Sequence, residues 1–105
     1  MDLNIRWTDF AKKELKKVFL YYKNHFSLKT ARFVLASVHQ DVNRLRTLAE
    51  IGPIEELLIH RKQEFRFLIS KHLKIIYWIN KEENWIEIVD IFDTRQNPSK
   101  IHIKR

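Results

Sequence analysis

The hydrophobic periodicity of the 105-residue chain changes once, close to its only glycine, Gly52. Between residues 11 and 48, apolar residues recur every three or four positions, as they do on one face of an amphipathic helix. Between residues 65 and 92, three runs rich in β-branched and aromatic residues contain neither glycine nor proline, which is typical of strands. This order predicts an α+β domain in which a helix hairpin packs on one face of a sheet.

The N-terminal segment predicts a short strand followed by a helix. Leu3, Ile5 and Trp7 alternate with polar residues, which is the pattern of a half-buried strand. Thr8 and Asp9 then offer side-chain oxygens that can cap a helix N-terminus. The apolar positions of this first helix recur at helical spacing: Ala11, Leu15, Val18, Phe19, Tyr22 and Phe26. Its outer face is strongly basic, which is typical of a solvated face or, less often, of a binding surface.

A second helix is predicted to begin after Ser27 and to end at Gly52 and Pro53, because glycine and proline commonly follow a last helical turn. Its predicted inward positions are Ala31, Leu35, Val38, Val42, Leu45 and Leu48. The very short connection between the helices predicts an antiparallel hairpin. The connector over residues 52–64 is expected to be irregular, with Glu55 and Glu56 solvated.

The second half predicts an antiparallel meander. Its strands are expected over residues 65–70, 73–80 and 85–92, with short polar turns between them. The complete order is therefore an N-terminal strand, two helices and three strands, in one domain over residues 1–105 with no internal repeat.

Charge and composition narrow the class of protein. Lysine and arginine total 20 against 13 acidic residues, so the formal charge is +7, which favours polyanionic or acidic partners. The lack of cysteine excludes disulfide scaffolds and cysteine-ligated zinc, and it fits a reducing compartment. Neither a signal peptide nor an apolar run near the ~18 residues of a membrane span is present. We therefore expect a cytoplasmic protein with no membrane contact.

The standard catalytic and cofactor motifs are missing. A single glycine excludes phosphate-binding loops, dinucleotide fingerprints and nucleophile elbows. The five histidines lack the paired spacing of metal ligands, so neither a metal nor another cofactor is expected. The remaining candidates are cationic residues on or just after the predicted strands: Arg66, Lys74 and Arg95.

Three stretches resemble one known family. They are Glu-Phe-Arg-Phe-Leu-Ile at residues 64–69, Leu-Lys-Ile-Ile-Tyr at 73–77 and Val-Asp-Ile-Phe-Asp-Thr-Arg at 89–95. Together with the order of elements, they resemble the RelE/ParE superfamily of toxins from bacterial type II toxin–antitoxin modules, including plasmid stabilisation proteins. The resemblance runs from Trp7 to Pro98 and therefore covers nearly the whole chain.

The resemblance implies a toxin that inhibits growth until a cognate antitoxin binds it in a hetero-oligomer. It leaves two mechanisms open, cleavage of messenger RNA on the ribosome or poisoning of DNA gyrase, and a third possibility is an inactive domain that only binds its antitoxin. In the nuclease branch, Arg66, Lys74 and Arg95 match the catalytic cations. That branch commonly adds a C-terminal tyrosine or histidine, and because no tyrosine follows Tyr77, His102 is the only candidate.

The geometry of the first meander turn decides whether two of these cations share a face. A two-residue turn at Lys71 and His72 would pair Ile69 with Lys74 and would place Arg66 and Lys74 on opposite faces, whereas a three-residue or bulged turn would bring them together. With the two-residue turn, one apolar face carries the residues that we predict to contact an antitoxin, namely Phe65, Phe67, Ile76 and Trp78.

Overall fold

A four-stranded sheet carries a helix hairpin on one face in the computed structural model, which describes residues 2–95. The elements are β1 (Asn4–Trp7), α1 (Asp9–His25), α2 (Leu28–Asn43), β2 (Phe65–Ser70), β3 (Leu73–Asn80) and β4 (Trp85–Asp93). The strand order is β1-β4-β3-β2, with β1 parallel to β4 and the other neighbours antiparallel. The predicted α+β class, helix hairpin and antiparallel meander are confirmed.

Both helices begin at the predicted capping residues. The Thr8 hydroxyl accepts a hydrogen bond from the Ala11 backbone N–H at 3.0 Å, and the Ser27 hydroxyl accepts one from the Thr30 N–H at the same distance. Each bond satisfies a backbone donor that has no partner inside its helix. Only Phe26 and Ser27 connect the helices, which enforces the antiparallel hairpin.

The second helix is shorter than its sequence predicts. It ends at Asn43, not at Gly52, and a 3-10 turn over Arg44–Arg46 follows. The Leu3 backbone N–H donates to the Arg46 carbonyl at 2.9 Å, and Leu45 is completely buried. The chain therefore leaves the helical path in order to pack against the N-terminal segment, and these tertiary contacts outweigh the apolar periodicity that continues to Leu48.

The main core lies between the hairpin and the sheet. Val34, rather than the predicted Leu35, occupies the buried position in the middle of α2, while Phe26 and Leu48 are exposed. The buried residues of α2 are small or β-branched, which allows the helix to approach the sheet closely. They are Ala31, Val34, Val38 and Val42, and they share one core with Ile75, Tyr77, Ile86, Ile88 and Ile91 of the sheet.

A second, smaller core lies on the other face of the sheet, which we call the far face. Its buried members are Phe65, Ile76 and Val89, and Leu58 of the connector packs against them. Ile76 pairs with residue 90 and Tyr77 with residue 88, so Val89 is the extra residue of a bulge in β4. Its side chain points to the far face. Both faces of the sheet are therefore partly covered.

No helix within residues 2–95 is both long enough and apolar enough to cross a membrane.

Candidate functional site

The β2–β3 turn contains only two residues, Lys71 and His72. Lys71 has a φ of 58°, the left-handed conformation that a tight hairpin turn requires. The resulting register pairs Ile69 with Lys74 and Arg66 with Tyr77. Because directly opposed residues share a face, Arg66 points toward the helix side and Lys74 toward the far face. Arg66 and Lys74 therefore do not form one site.

Arg66 fastens the segment after α2 to the sheet. Its Nη1 atom donates to the Gly52 carbonyl at 2.8 Å and, at 3.4 Å, to the Glu50 carbonyl. Its Nη2 atom donates to the Glu64 carboxylate at 2.8 Å. The side chain is only 15% exposed. Most of the guanidinium donors are thus committed to acceptors inside the chain, which is the role expected of a fork-shaped, permanently charged group in a structural clamp.

Tyr77 also holds the segment after α2 against the sheet, through two hydrogen bonds of its hydroxyl group. The buried Tyr77 hydroxyl donates to the Ala49 carbonyl at 2.7 Å and accepts from the Gly52 N–H at 3.1 Å. Burial raises the pKa of Tyr77, so the hydroxyl keeps its proton at neutral pH. A Cβ atom on residue 52 would lie 2.3 Å from the Phe67 carbonyl oxygen, and only glycine fits there. The sequence pattern predicts Gly52 as a helix terminator and gives no sign of this second role.

Lys74 lies on the far face and is also engaged. Its Nζ atom lies 2.5 Å from Glu55 Oε1 and 4.3 Å from the centre of the Phe67 ring. Glu55 is 3% exposed, so the expectation that it is solvated is wrong. A buried carboxylate needs a cation or several hydrogen-bond donors, and Lys74 supplies the charge while the Leu57 N–H donates to Oε2. Sequence signals could not reveal this pairing, because the two residues meet only after the connector folds over the sheet.

Arg95 follows β4 and forms a local pair with Asp93. Its Nε and backbone N–H both donate to Asp93 Oδ1, at 2.9 and 2.8 Å, and its Nη2 contacts Oδ2. The side-chain hydrogen bond from Arg95 is the main cause that lowers the pKa of Asp93. Even so, 57% of the Arg95 side chain remains exposed. Arg95 is therefore the most accessible of the three cations that match the catalytic positions of the nuclease branch, Arg66, Lys74 and Arg95.

A groove of about 440 Å³ runs beside Arg95 between α1 and the end of the sheet. Tyr21 and Tyr22 of α1 form part of one wall, and Leu73 and Ile91 belong to the sheet side. Lys17 and Arg95 add charge, but Glu14 and Asp93 neutralise them through ion pairs. The groove is therefore mainly an apolar and aromatic cleft.

The predicted partner surface divides into accessible and covered residues. Phe67 and Trp78 are half-buried on the far face, and Trp78 Nε1 donates to Glu87 at 2.9 Å. Phe65 is 2% exposed and Ile76 is completely buried, and Leu58 of the connector packs against them. A partner could therefore not contact these two side chains while the connector keeps this position. His102 lies outside the described residues. Within residues 2–95, no cluster of three or more histidine or carboxylate side chains could hold a metal ion.

Comparison with known proteins gives consistent results. Residues 5–98 match the family model of the ParE toxin of the type II toxin–antitoxin system parDE. No curated protein matches the chain. The fold is similar to the chromosomal ParDE toxin–antitoxin system from P. aeruginosa, with a TM-score of 0.70 and 16% identity over 87% of this chain and 95% of that one.

Two further solved structures share the fold. The RelBE2 toxin–antitoxin complex from Mycobacterium tuberculosis aligns with a TM-score of 0.63 and 17% identity, covering 89% of this chain and 92% of that one. A metal-bound toxin from Helicobacter pylori aligns with a TM-score of 0.54 and 26% identity, covering 89% of this chain and 96% of that one. The family match spans most of the sequence, and the fold agrees with it. This chain belongs to the ParE toxin family of type II toxin–antitoxin systems.

Proposed function

We propose that this toxin inhibits growth by binding DNA gyrase and does not cleave messenger RNA. The observation that carries the proposal is the β2–β3 register, which points Arg66 and Lys74 to opposite faces of the sheet. The family alone allows both mechanisms, so the choice between them rests on whether the cations can converge.

Metal-independent RNA cleavage requires such convergence. Attack of a ribose 2′-hydroxyl on the adjacent phosphate develops negative charge on the phosphoryl oxygens, and fixed cations must point at that charge to stabilise it. Arg66 instead donates to the Gly52 carbonyl and the Glu64 carboxylate, and Lys74 is paired with Glu55. Of these three cations, Arg95 is the one whose side chain is mostly exposed. One cation at a strand end supports recognition of a target more than it supports phosphodiester chemistry.

We further propose that a cognate antitoxin neutralises the toxin by covering the far face around Phe67 and Trp78. Two relatives of the same fold were solved as toxin–antitoxin systems. The half-buried aromatic rings of Phe67 and Trp78 offer apolar area beside the Lys74 ammonium. Because the chain carries a charge of +7, the antitoxin segment that binds it should be acidic.

Induced expression followed by two separate measurements tests the mechanism. The full chain is expressed in a bacterial host with and without its antitoxin. Supercoiling by purified gyrase is then measured with added toxin, and cleavage of a reporter messenger RNA is mapped on ribosomes. We expect growth arrest, loss of supercoiling and intact messenger RNA. Cleaved messenger RNA with unaffected supercoiling would establish the nuclease mechanism instead, and normal growth with folded protein would show an inactive domain.

A further inference from the structure

The helix hairpin carries an uninterrupted stretch without carboxylates from the middle of α1 to the last turn of α2. We call residues 21–33, around the connection between the helices, the hairpin tip. Residues 15–40 contain five lysines and arginines and not one aspartate or glutamate. For a chain with 13 acidic residues in total, this separation of charge concentrates positive potential on one part of the surface. The hairpin is therefore attractive to polyanions even without any contribution from the rest of the molecule.

Large aromatic side chains are exposed on the same tip. Tyr21 is 46% exposed, Phe26 is 64% exposed and Phe33 is 59% exposed. The rings are ordered into near-parallel pairs, because Tyr21 stacks on His25 with centroids 4.3 Å apart and Tyr22 stacks on Phe26 at 5.6 Å. Burial in the core does not explain these rings, and exposed aromatic groups of this size commonly mark a contact surface.

Cations lie close to Phe26 in sequence and close to Phe33 in sequence and in space. Lys23 precedes Phe26 by three residues near the end of α1. Lys29 and Phe33 are four residues apart on α2 and therefore share one side of it. Lys71, from the β2–β3 turn, places its Nζ atom 4.8 Å from the centre of the Phe33 ring. The β2–β3 turn therefore contacts the helix hairpin at Phe33.

We propose that this surface, formed by Tyr21, Lys23, Phe26, Lys29, Phe33 and Lys71, binds single-stranded nucleic acid. Proteins that bind single strands without sequence preference stack bases on aromatic side chains and contact the phosphates with lysine and arginine. The hairpin tip and the adjacent β2–β3 turn together supply both kinds of group. Binding there does not depend on the gyrase mechanism and is measured in the absence of gyrase.

Fluorescence anisotropy of a labelled twelve-nucleotide oligothymidylate with the purified full chain tests the proposal. We expect Phe26→Ala and Tyr21→Ala each to weaken binding by about tenfold, because one base loses its stacking partner. Phe26→Tyr should retain near-normal affinity, since the ring is kept. The melting temperature of each variant checks that the fold is intact. Unchanged affinity in both folded alanine variants would overturn the proposal.

A matched pair of charge variants separates local contacts from net charge. Lys23→Gln combined with Lys29→Gln removes two cations from the tip, whereas Lys12→Gln combined with Lys13→Gln removes two exposed cations from the start of α1. Only the tip pair should reduce the slope of log affinity against log salt concentration, by about 1.4 for two single-strand phosphate contacts. Equal effects of both pairs would contradict a localised site. Competition by a polyglutamate peptide as effective as that of unlabelled oligonucleotide would show that the surface selects acidic protein.

Discussion

Lys74 and Glu55 form an ion pair that holds the connector over the far face of the sheet. The two charged atoms lie 2.5 Å apart, with Glu55 almost completely buried and Lys74 18% exposed. The pair crosses from the middle strand to a segment with little regular structure, and Leu58 of that segment covers Phe65 and Ile76. The ion pair therefore helps to hold the connector in place, together with the backbone hydrogen bonds that join residues 53 and 55 to β2.

Removing the two charges separately should have unequal effects on stability. Lys74→Met leaves the Glu55 carboxylate buried without its cation and should lower the free energy of unfolding by about 3 kcal/mol. Glu55→Gln should lower it by only about 1 kcal/mol, because the Lys74 ammonium can turn toward water. Urea denaturation at neutral pH measures both values. The double variant should lose less than the sum of the two, and strict additivity would show that the residues do not interact.

The fold was largely predictable because it follows from periodicity and capping. Alternation located the strands, Thr8 and Ser27 located the helix starts, and a two-residue turn was one of two predicted registers. The inward face of α2 was shifted because Val34 and Leu35 are adjacent and both apolar, so that only contact with the sheet decides between them.

The site was less predictable because its interactions join segments that are distant in sequence. The role of Glu55 depends on Lys74, and the role of Gly52 depends on the Phe67 carbonyl and the Tyr77 hydroxyl. No local pattern encodes such contacts. The pairing of Arg95 with Asp93 is an exception, because residues two positions apart at a strand end could be expected to meet.

Gly52→Ala should destabilise the toxin severely. The added methyl carbon would lie 2.3 Å from a backbone oxygen of β2 and 2.7 Å from the Tyr77 hydroxyl, so the segment after α2 must move away from the sheet. We expect a loss of about 3 kcal/mol or more, measured by thermal or urea unfolding.

Tyr77→Phe provides the comparison for this prediction. Alone, it leaves the Ala49 carbonyl and the Gly52 N–H without their partner and should cost about 1–3 kcal/mol. Combined with Gly52→Ala, it should not restore stability, because the clash with the Phe67 carbonyl remains. Restored stability in the double variant would show that the tyrosine hydroxyl, and not the strand backbone, excludes a side chain at residue 52.

The Asp93–Arg95 pair should give stability a dependence on acidic pH. Arg95 lowers the pKa of Asp93 in the folded state, so unfolded chains bind a proton more readily than folded ones. The contribution is present above the ordinary carboxyl pKa near about 4 and is lost as the pH falls through the lower folded value. We expect less than about 1 kcal/mol, because the pair lies at the surface. The free energy of unfolding is measured at several acidic pH values for wild type and Asp93→Asn. Plotted against pH, the two sets of values should differ in slope, and parallel plots would contradict the assignment.

Arg95 should be necessary for toxicity but not for folding. Its side chain is 57% exposed at a strand end and hydrogen-bonds to the neighbouring Asp93, so Arg95→Ala should leave the melting temperature nearly unchanged. If the side chain binds the target, the same substitution abolishes growth inhibition. Arg95→Lys should restore only part of it, since an ammonium cannot reproduce two parallel hydrogen bonds.

A matched control uses Arg61→Ala, which removes an equal charge from an exposed position in the connector. Colony formation under induction, combined with melting temperatures of the purified variants, separates the two roles of Arg95. Loss of toxicity with an unchanged melting temperature assigns Arg95 to the target surface, because the fold and the net charge then match those of the active control. Full toxicity in Arg95→Ala would remove the residue from that surface, and joint loss of folding and toxicity would show that its pairing with Asp93 is structural.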